Sequence, residues 1–179
     1  MKSWSVWKGG WSGTAPERSM GVTTNIVATY RGPGHVVRGM LAMGPREDRA
    51  LAYLMGACLL TFVAQLPRLA REAHVNGQDL NMLMGGSLLA WIFIAPLVFY
   101  VVAACARLVA RVLGGSGSGF GARLALFWAL LAASPVLLLH GLTAGLVGPG
   151  PALQLVGVIW CGLFLWFWLA GTLAQERST

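Results

Sequence analysis

The chain of 179 residues contains 56% hydrophobic and only 11% charged residues, with a formal net charge of +7 at pH 7. Because soluble domains contain roughly 25% charged residues and keep much of their surface in water, this composition excludes an ordinary soluble domain. The basic residues are scattered and form no run of the kind that binds nucleic acid, so no nucleic-acid partner is predicted. The composition predicts an integral membrane protein.

Residues 1–44 are predicted to form a cytoplasmic leader. Its first part is rich in Trp, Gly and Ser and contains no apolar run that could serve as a signal-peptide core. The functional start is left open between Met1 and Met20. Further along, four apolar residues share one helical face: Val36, Val37, Met40 and Leu41. This pattern predicts a short amphipathic helix in the cytoplasmic interface, with an irregular leader as the alternative.

Four apolar segments follow within residues 45–173, at about 50–66, 82–105, 124–147 and 153–173. A helix needs about 20 apolar residues to cross the hydrocarbon core, and in lipid its backbone must satisfy its own hydrogen bonds. The sequence therefore predicts an all-α bundle of about four transmembrane helices, followed by a cytoplasmic tail at 174–179. The third segment is long enough to form a short hairpin instead, which would give five spans. Four spans are preferred because that segment contains neither charge nor a long turn.

Turn and capping residues separate these segments. Gly77, in an Asn-Gly pair, predicts a turn, and Asp79 is a predicted N-cap for the second span. The glycine- and serine-rich residues 114–119 predict a flexible break between the second and third spans. Pro96 and Pro135 lie inside spans, where each removes a backbone hydrogen bond, so kinks are expected there.

The basic residues predict the orientation of the bundle. In a four-span chain, one side carries Lys2, Lys8, Arg18, Arg31, Arg38, Arg46, Arg49, Arg107, Arg111, Arg123 and Arg177. Only Arg68 and Arg71 lie on the other side. Since cytoplasmic loops carry the excess of Lys and Arg, both termini are predicted to be cytoplasmic. The composition is that of a GC-rich bacterial genome, so the predicted location is the bacterial inner membrane.

Candidate functional residues are few. Six basic residues are predicted to contact anionic lipid head groups: Arg38, Arg46, Arg49, Arg107, Arg111 and Arg123. No charged residue lies in the middle of a span, which disfavours ion-coupled transport. The polar residues within the spans are Gln65, Ser87, Ser134, His140 and Gln154. No nucleophile has a base at suitable spacing and no metal-ligand pattern occurs, so no catalytic, cofactor or metal site is predicted.

Small residues mark candidate helix-packing surfaces. Gly141 and Gly145 have the GxxxG spacing, and Gly85 and Gly86 form a second smooth patch. Such surfaces let helices approach closely, and they are expected to pack within the protomer rather than to form a dimer.

Two stretches carry a family resemblance. The leader Tyr30-Arg-Gly-Pro-Gly-His-Val-Val-Arg-Gly-Met-Leu-Ala-Met43 precedes the first span, and the loop Gly114-Gly-Ser-Gly-Ser-Gly-Phe-Gly-Ala-Arg123 precedes Ala125-Leu-Phe-Trp-Ala129 and Pro135. From about Asn25 to Leu173 the chain resembles the bacterial branch of the Yip (Ypt/Rab-interacting protein) membrane family. Eukaryotic members act in vesicle traffic with small GTPases. This chain lacks their acidic Asp-Leu-Tyr-Gly-Pro motif and has four predicted spans where five are usual.

Together these patterns predict a non-enzymatic, multi-span protein of the Yip type that organises lipids or protein partners, including other copies of itself. A small carrier or channel for a neutral or lipidic solute, or an accessory subunit of a larger membrane complex, is the alternative.

Overall fold

The computed structural model describes residues 21–115 and 117–176. Its helices are α1 (Val22–Thr29), α2 (Pro33–Ala42), α3 (Glu47–Asn76), α4 (Leu80–Leu89), α5 (Ala95–Val112), α6 (Gly119–Ala132), α7 (Ser134–Leu146) and α8 (Pro151–Glu176). A single π-helical turn, Ala90–Ile94, joins α4 to α5. The candidate start sites Met1 and Met20, and residues 177–179 of the predicted tail, lie outside the described residues.

Three long helices have the length and hydropathy to cross a membrane: α3, the continuous Leu80–Val112 helix, and α8. The bent pair of α6 and α7 makes a fourth when it is counted as one span. This confirms the predicted all-α membrane bundle. Helix α4, the π turn and α5 form one continuous helix of 33 residues.

Helix α3 is longer than the apolar segment that predicted it. It runs for 30 residues and passes through Pro67. A proline removes one backbone hydrogen bond, and packing against neighbouring helices lets the rest of the helix continue. The helix ends where Gly77 adopts a left-handed conformation with φ of 63°. Asp79 then caps α4 by accepting a hydrogen bond from the Asn81 backbone N–H at 2.9 Å, so the predicted turn and cap are confirmed.

The two span prolines have different effects. Before Pro96, the Ala95 N–H bonds to the Ala90 carbonyl, which widens the helix into a π turn without interrupting the span. Pro135 lies in the first turn of α7, directly after a break at Ala133. The axes of α6 and α7 differ by 45° there. The pair is either one bent span or a re-entrant loop, so the choice between four spans and the alternative hairpin stays a prediction.

The centre of the bundle is α6. Its buried residues run almost without interruption from Gly121 to Ala132. Two rings pack on its large aromatic side chains at centroid distances of 5.1 Å: Tyr53 of α3 against Trp128, and Tyr100 of α5 against Phe127. By contrast, only 11% of the apolar 18-residue stretch of the α4–α5 span is buried inside the protein, and only 6% of the corresponding stretch of α8. These two spans present most of their surface outward.

The leader packs into the bundle. Val37 and Met40 of α2 are buried, and the Val37 side chain lies against Gly171 of α8. The helical form of this stretch is as predicted, and its apolar face packs against α8; its position relative to the membrane interface stays a prediction. The exposed face of α2 instead contains His35 and Arg38.

Hydrogen bonds fix the turn between α1 and α2 to the core. Thr29 is fully buried; its hydroxyl donates to the Asn25 carbonyl at 2.7 Å and accepts from the Trp128 indole N–H at 3.0 Å. The Tyr30 hydroxyl donates to the Ala132 carbonyl at 3.2 Å, beside the break between α6 and α7. Burial raises the pKa of Tyr30 above its ordinary value of 10.0, which keeps this donor protonated.

Candidate functional site

All six predicted head-group arginines lie toward one end of the bundle, which we call the arginine-rich end. It is formed by α2, the first turns of α3 and α6, and the last turns of α5. An ion pair between Arg123 of α6 and Glu47 of α3 joins two of these elements. Arg38, Arg46 and Arg111 are exposed there.

The other three arginines are partly buried and engaged within the protein. Arg123 pairs with Glu47, and the Arg107 guanidinium donates to the Gly115 carbonyl at 3.4 Å. Arg49 donates to the Met43 sulfur at 3.6 Å. The structure therefore divides the predicted set into three exposed cations, of which Arg38 also donates to the Gly34 carbonyl of its own helix at 3.3 Å, and three partly buried side chains with internal contacts.

The predicted packing glycines also divide into two groups. A Cβ at Gly141 would lie 1.6 Å from the Ala64 carbonyl oxygen, and one at Gly145 would lie 2.4 Å from the Pro67 Cβ. These two glycines let α7 approach the backbone of α3. A Cβ at Gly85 or Gly86 would meet no heavy atom within 4 Å. That pair does not pack helices together within the described chain, because α4 lies at the periphery.

Toward the opposite end, a partly open cavity of about 210 Å³ lies between α3, α7 and α8, with further lining residues from the π turn, α5 and α6. Its walls are mainly apolar and include Trp91, Phe99, Leu130, Leu137, Ala144 and Trp160. Its walls come from segments far apart in the chain, so local sequence patterns do not show that these residues line one cavity.

The polar groups of the cavity are Thr61, Gln65, Arg68 and His140. The structure thus brings together two of the polar span residues, Gln65 and His140, but leaves Ser87, Ser134 and Gln154 outside the lining. The Thr61 hydroxyl donates to the Ala57 carbonyl at 2.8 Å. Arg68 lies 3.8 Å from Glu72, so its charge is compensated locally.

Trp160 lines this cavity, but its indole N–H is not accessible from it. This N–H is buried and has no hydrogen-bond partner among the described residues. Trp160 stacks on Phe164 at a centroid distance of 5.6 Å, and Phe164 in turn stacks on Trp168 at 5.9 Å.

Within residues 21–115 and 117–176, no three His, Cys, Asp or Glu side chains lie close enough together to hold a metal ion. Cys58 is buried, and Cys105 and Cys161 are exposed, all as free thiols. The chemical features of the described structure are therefore the exposed arginines and the mainly apolar cavity with its polar residues Thr61, Gln65, Arg68 and His140.

Comparison with protein-family models, with curated proteins and with solved structures finds no match for this chain. The apolar helices indicate a membrane-embedded protein.

Proposed function

We propose that this chain is a non-enzymatic, multi-span membrane protein that organises anionic lipids around its arginine-rich end. The observation that carries the proposal is the exposure of Arg38, Arg46 and Arg111 at one end of an apolar bundle. Basic side chains at a membrane surface attract anionic lipids by about 1 kcal/mol each. The resemblance to the bacterial Yip family, the inner-membrane location and the cytoplasmic termini belong to the same proposal.

The outward faces of the bundle support contact with lipid or with other membrane proteins. Phe93 and Leu97 of the α4–α5 span are 70% and 68% exposed, and Val158 of α8 is 72% exposed. Side chains this apolar are favourable next to hydrocarbon and unfavourable in water. They leave a wide surface for acyl chains or for the helices of a partner.

The test is the lipid selectivity of purified protein in nanodiscs that contain phosphatidylglycerol and phosphatidylcholine. The triple variant Arg38→Gln, Arg46→Gln, Arg111→Gln removes the exposed charges but retains the contacts of Arg123, Arg107 and Arg49. Spin-labelled phosphatidylglycerol should lose a several-fold preference for the protein surface, given about 1 kcal/mol per basic residue.

The matched control is the corresponding triple Lys variant, which keeps the charge and should keep the preference. Spin-labelled phosphatidylcholine should bind all three proteins alike. An unchanged preference for phosphatidylglycerol in the triple Gln variant would contradict the proposal.

A carrier for a neutral or lipidic solute is the second candidate, and the cavity between α3, α7 and α8 favours it. A carrier must move its solute across the bilayer, whereas a lipid-organising protein only retains it. Measuring solute flux in proteoliposomes distinguishes the two.

A further inference from the structure

A second cavity, of about 420 Å³, adjoins the cavity between α3, α7 and α8, and both are lined by Arg68. Along α3 the lining of the two cavities runs from Thr61 through Ala64, Arg68 and Arg71 to Val75, in alternating steps of three and four residues. Residues with this spacing lie on one face of a helix. The two cavities are therefore parts of one groove that follows α3, which we call the α3 groove.

The walls opposite α3 follow the same direction. Ala144 of α7 lines both cavities, and His140 lines the first cavity one helical turn deeper. On α8, Leu153 lines the second cavity, and Trp160, two turns deeper, lines the first. The α3 groove thus runs from the end of the bundle that carries Arg71 toward the middle of the bundle.

The polarity of the α3 groove changes along its length. Its outer part contains the guanidinium groups of Arg68 and Arg71, with Glu72 and Asn76 beside them. Its deeper part is mainly apolar and is bordered by side chains of the π turn, α5 and α6, in addition to those of α3, α7 and α8. A groove that is charged at one end and apolar at the other complements an amphiphile with a charged head and an alkyl chain.

The charged end lies at the depth expected for lipid head groups. Arg68 follows Arg49 of the arginine-rich end by 19 residues in α3, which is about 29 Å at 1.5 Å per residue. The hydrocarbon core of a bilayer is about 30 Å thick. When Arg49 lies at one edge of this core, Arg68 lies at the other edge, and the apolar part of the α3 groove lies within the core.

The charge of the outer part matches that of a phosphodiester. Glu72 lies 3.8 Å from Arg68, so two arginines and one carboxylate leave one net positive charge, and a phosphodiester carries one negative charge. Guanidinium groups bind phosphate oxygens through paired hydrogen bonds. Arg71 donates one N–H to the Gly145 carbonyl at 3.3 Å. Because a guanidinium has five N–H donors, this bond leaves Arg71 able to bind a phosphate as well.

The deeper part has room for one alkyl chain. Its volume of about 210 Å³ is below the roughly 300–1,000 Å³ of pockets that enclose drug-sized ligands, so it does not hold the whole body of a two-chain lipid. Gln65 and His140 lie one turn deeper than Arg68 and Ala144. Both side chains can donate and accept hydrogen bonds, which suits the glycerol and ester groups next to a lipid phosphate.

We infer that the α3 groove binds one membrane phospholipid, with its phosphodiester at Arg68 and Arg71 and one acyl chain in the apolar cavity. The other chain remains in the bilayer. This site lies at the opposite end of the bundle from the exposed arginines of the arginine-rich end. It recognises the phosphodiester of a single lipid and not the net charge of the surrounding lipids, so it is independent of the proposed lipid-organising function.

The experiment is native mass spectrometry of the purified protein in detergent with oleoyl-lysophosphatidylcholine, monoolein and glycerophosphocholine. The first probe has a phosphodiester and one chain, the second has the same chain without the phosphate, and the third has the head group without the chain. None carries a net charge, so the exposed arginines of the other end do not select among them. The lysolipid should bind as a single copy, at least about tenfold more tightly than the other two probes.

Each other outcome overturns a stated part of the inference. Equally tight binding of monoolein would overturn the role of the two arginines. Equally tight binding of glycerophosphocholine would show a site for the free head group and overturn the role of the apolar cavity. Binding of many lysolipid copies, with no saturation at one, would overturn a discrete site.

Two variants test the charged end. Arg68→Gln removes a guanidinium whose side chain is 61% exposed, so folding should be unaffected, and lysolipid binding should weaken about tenfold, as expected for one charge-assisted hydrogen bond. Glu72→Gln is the matched control, because it breaks the same ion pair but raises the positive charge of the groove. It should bind the lysolipid at least as tightly as the wild type. Equal losses of affinity in both variants would show that Arg68 acts only through the ion pair, and would overturn the inference.

Two further variants test the apolar end. Leu137→Trp enlarges a side chain that lines the cavity and should weaken lysolipid binding several-fold by occupying the space of the chain. Leu139→Trp is the matched control, because Leu139 is on the same helix, is 53% exposed and lies outside the lining. Unchanged affinity in folded Leu137→Trp would overturn the placement of the chain. If that variant does not fold, the comparison of Arg68→Gln with Glu72→Gln still decides the inference.

Discussion

Individual polar side chains decide how the leader joins the bundle. Thr29 is buried beside Trp128, and its single hydroxyl both donates to the Asn25 carbonyl and accepts from the indole N–H. Tyr30 adds a bond to the Ala132 carbonyl and an edge-to-face contact with Phe167 at 5.1 Å. Because buried polar groups are costly without partners, these bonds favour one placement of the α1–α2 turn over others.

Thr29→Val tests this connection. The substitution keeps the shape of the side chain but leaves the buried Trp128 N–H without its acceptor, so the free energy of unfolding should fall by about 1–3 kcal/mol. Chemical denaturation of the purified protein in detergent measures it. The control is Thr143→Val, which removes only an exposed bond to the Leu139 carbonyl of the same helix. Equal losses of unfolding free energy in Thr29→Val and Thr143→Val would contradict this assignment. So would a Thr29→Val loss that is as large in a Trp128→Phe background as in the wild type.

At the scale of helices, close approach and irregular turns determine which elements pack together. Helix α7 contacts α3 through Gly141 and Gly145, and the second of these lies beside Pro67, where α3 lacks a backbone N–H. The break at Ala133 gives α7 a direction different from that of α6. The close contacts at Gly141 and Gly145, together with Pro67 in α3 and Pro135 at the start of α7, therefore set the position of α7.

Gly141→Ala and Gly86→Ala test the two glycine surfaces. A Cβ at Gly141 would overlap the Ala64 carbonyl, so α7 must move away from α3, at a cost of about 1–3 kcal/mol. Gly86 has open space, and alanine there should stabilise α4 by up to about 1 kcal/mol through helix propensity. Thermal unfolding of both variants measures the difference. A destabilising Gly86→Ala would show that α4 packs against another chain through this face.

At the scale of the whole molecule, the distribution of charge and the path of the third span determine the topology. The first turns of α3 and α6 lie at the arginine-rich end, whereas Arg68 and Arg71 lie near the other end. There the Arg71 guanidinium donates to the Gly145 carbonyl at 3.3 Å. If α6 and α7 form one bent span, Gly119 and Gly150 lie on opposite sides of the membrane.

Cysteine labelling tests this topology. In a background with Cys58, Cys105 and Cys161 replaced by Ala, Gly119→Cys and Gly150→Cys introduce thiols where a Cβ meets no heavy atom within 4 Å. In spheroplasts, a membrane-impermeant maleimide should label Gly150→Cys, and Gly119→Cys only after permeabilisation. The reverse pattern would contradict the predicted orientation. Labelling of both from one side would show that α6 and α7 enter and leave the same face.

Local features were predictable from the sequence to different degrees. Gly77 ends α3 and Asp79 begins α4 as predicted, because a left-handed turn or a cap depends on neighbouring residues alone. The end of α3 was not predicted, since its extension beyond Pro67 depends on packing with α7. The lining of the cavity was not predicted either, because Gln65, His140 and Trp160 lie on three separate helices.

The sequence by itself determined that the chain lies in a lipid membrane, that it is helical and roughly where its membrane-spanning segments lie. Apolar length and the need to satisfy backbone hydrogen bonds in lipid are properties of each segment alone. Only the tertiary structure decided that α6 is central, that α2 packs on α8 and that Gly141 rather than Gly86 meets another helix. Every helix face that could pack against another helix is apolar or lined by small residues. Lipid acyl chains can cover such a face as well as a neighbouring helix can. The choice among them therefore rests on shape and on a few buried hydrogen bonds between distant residues.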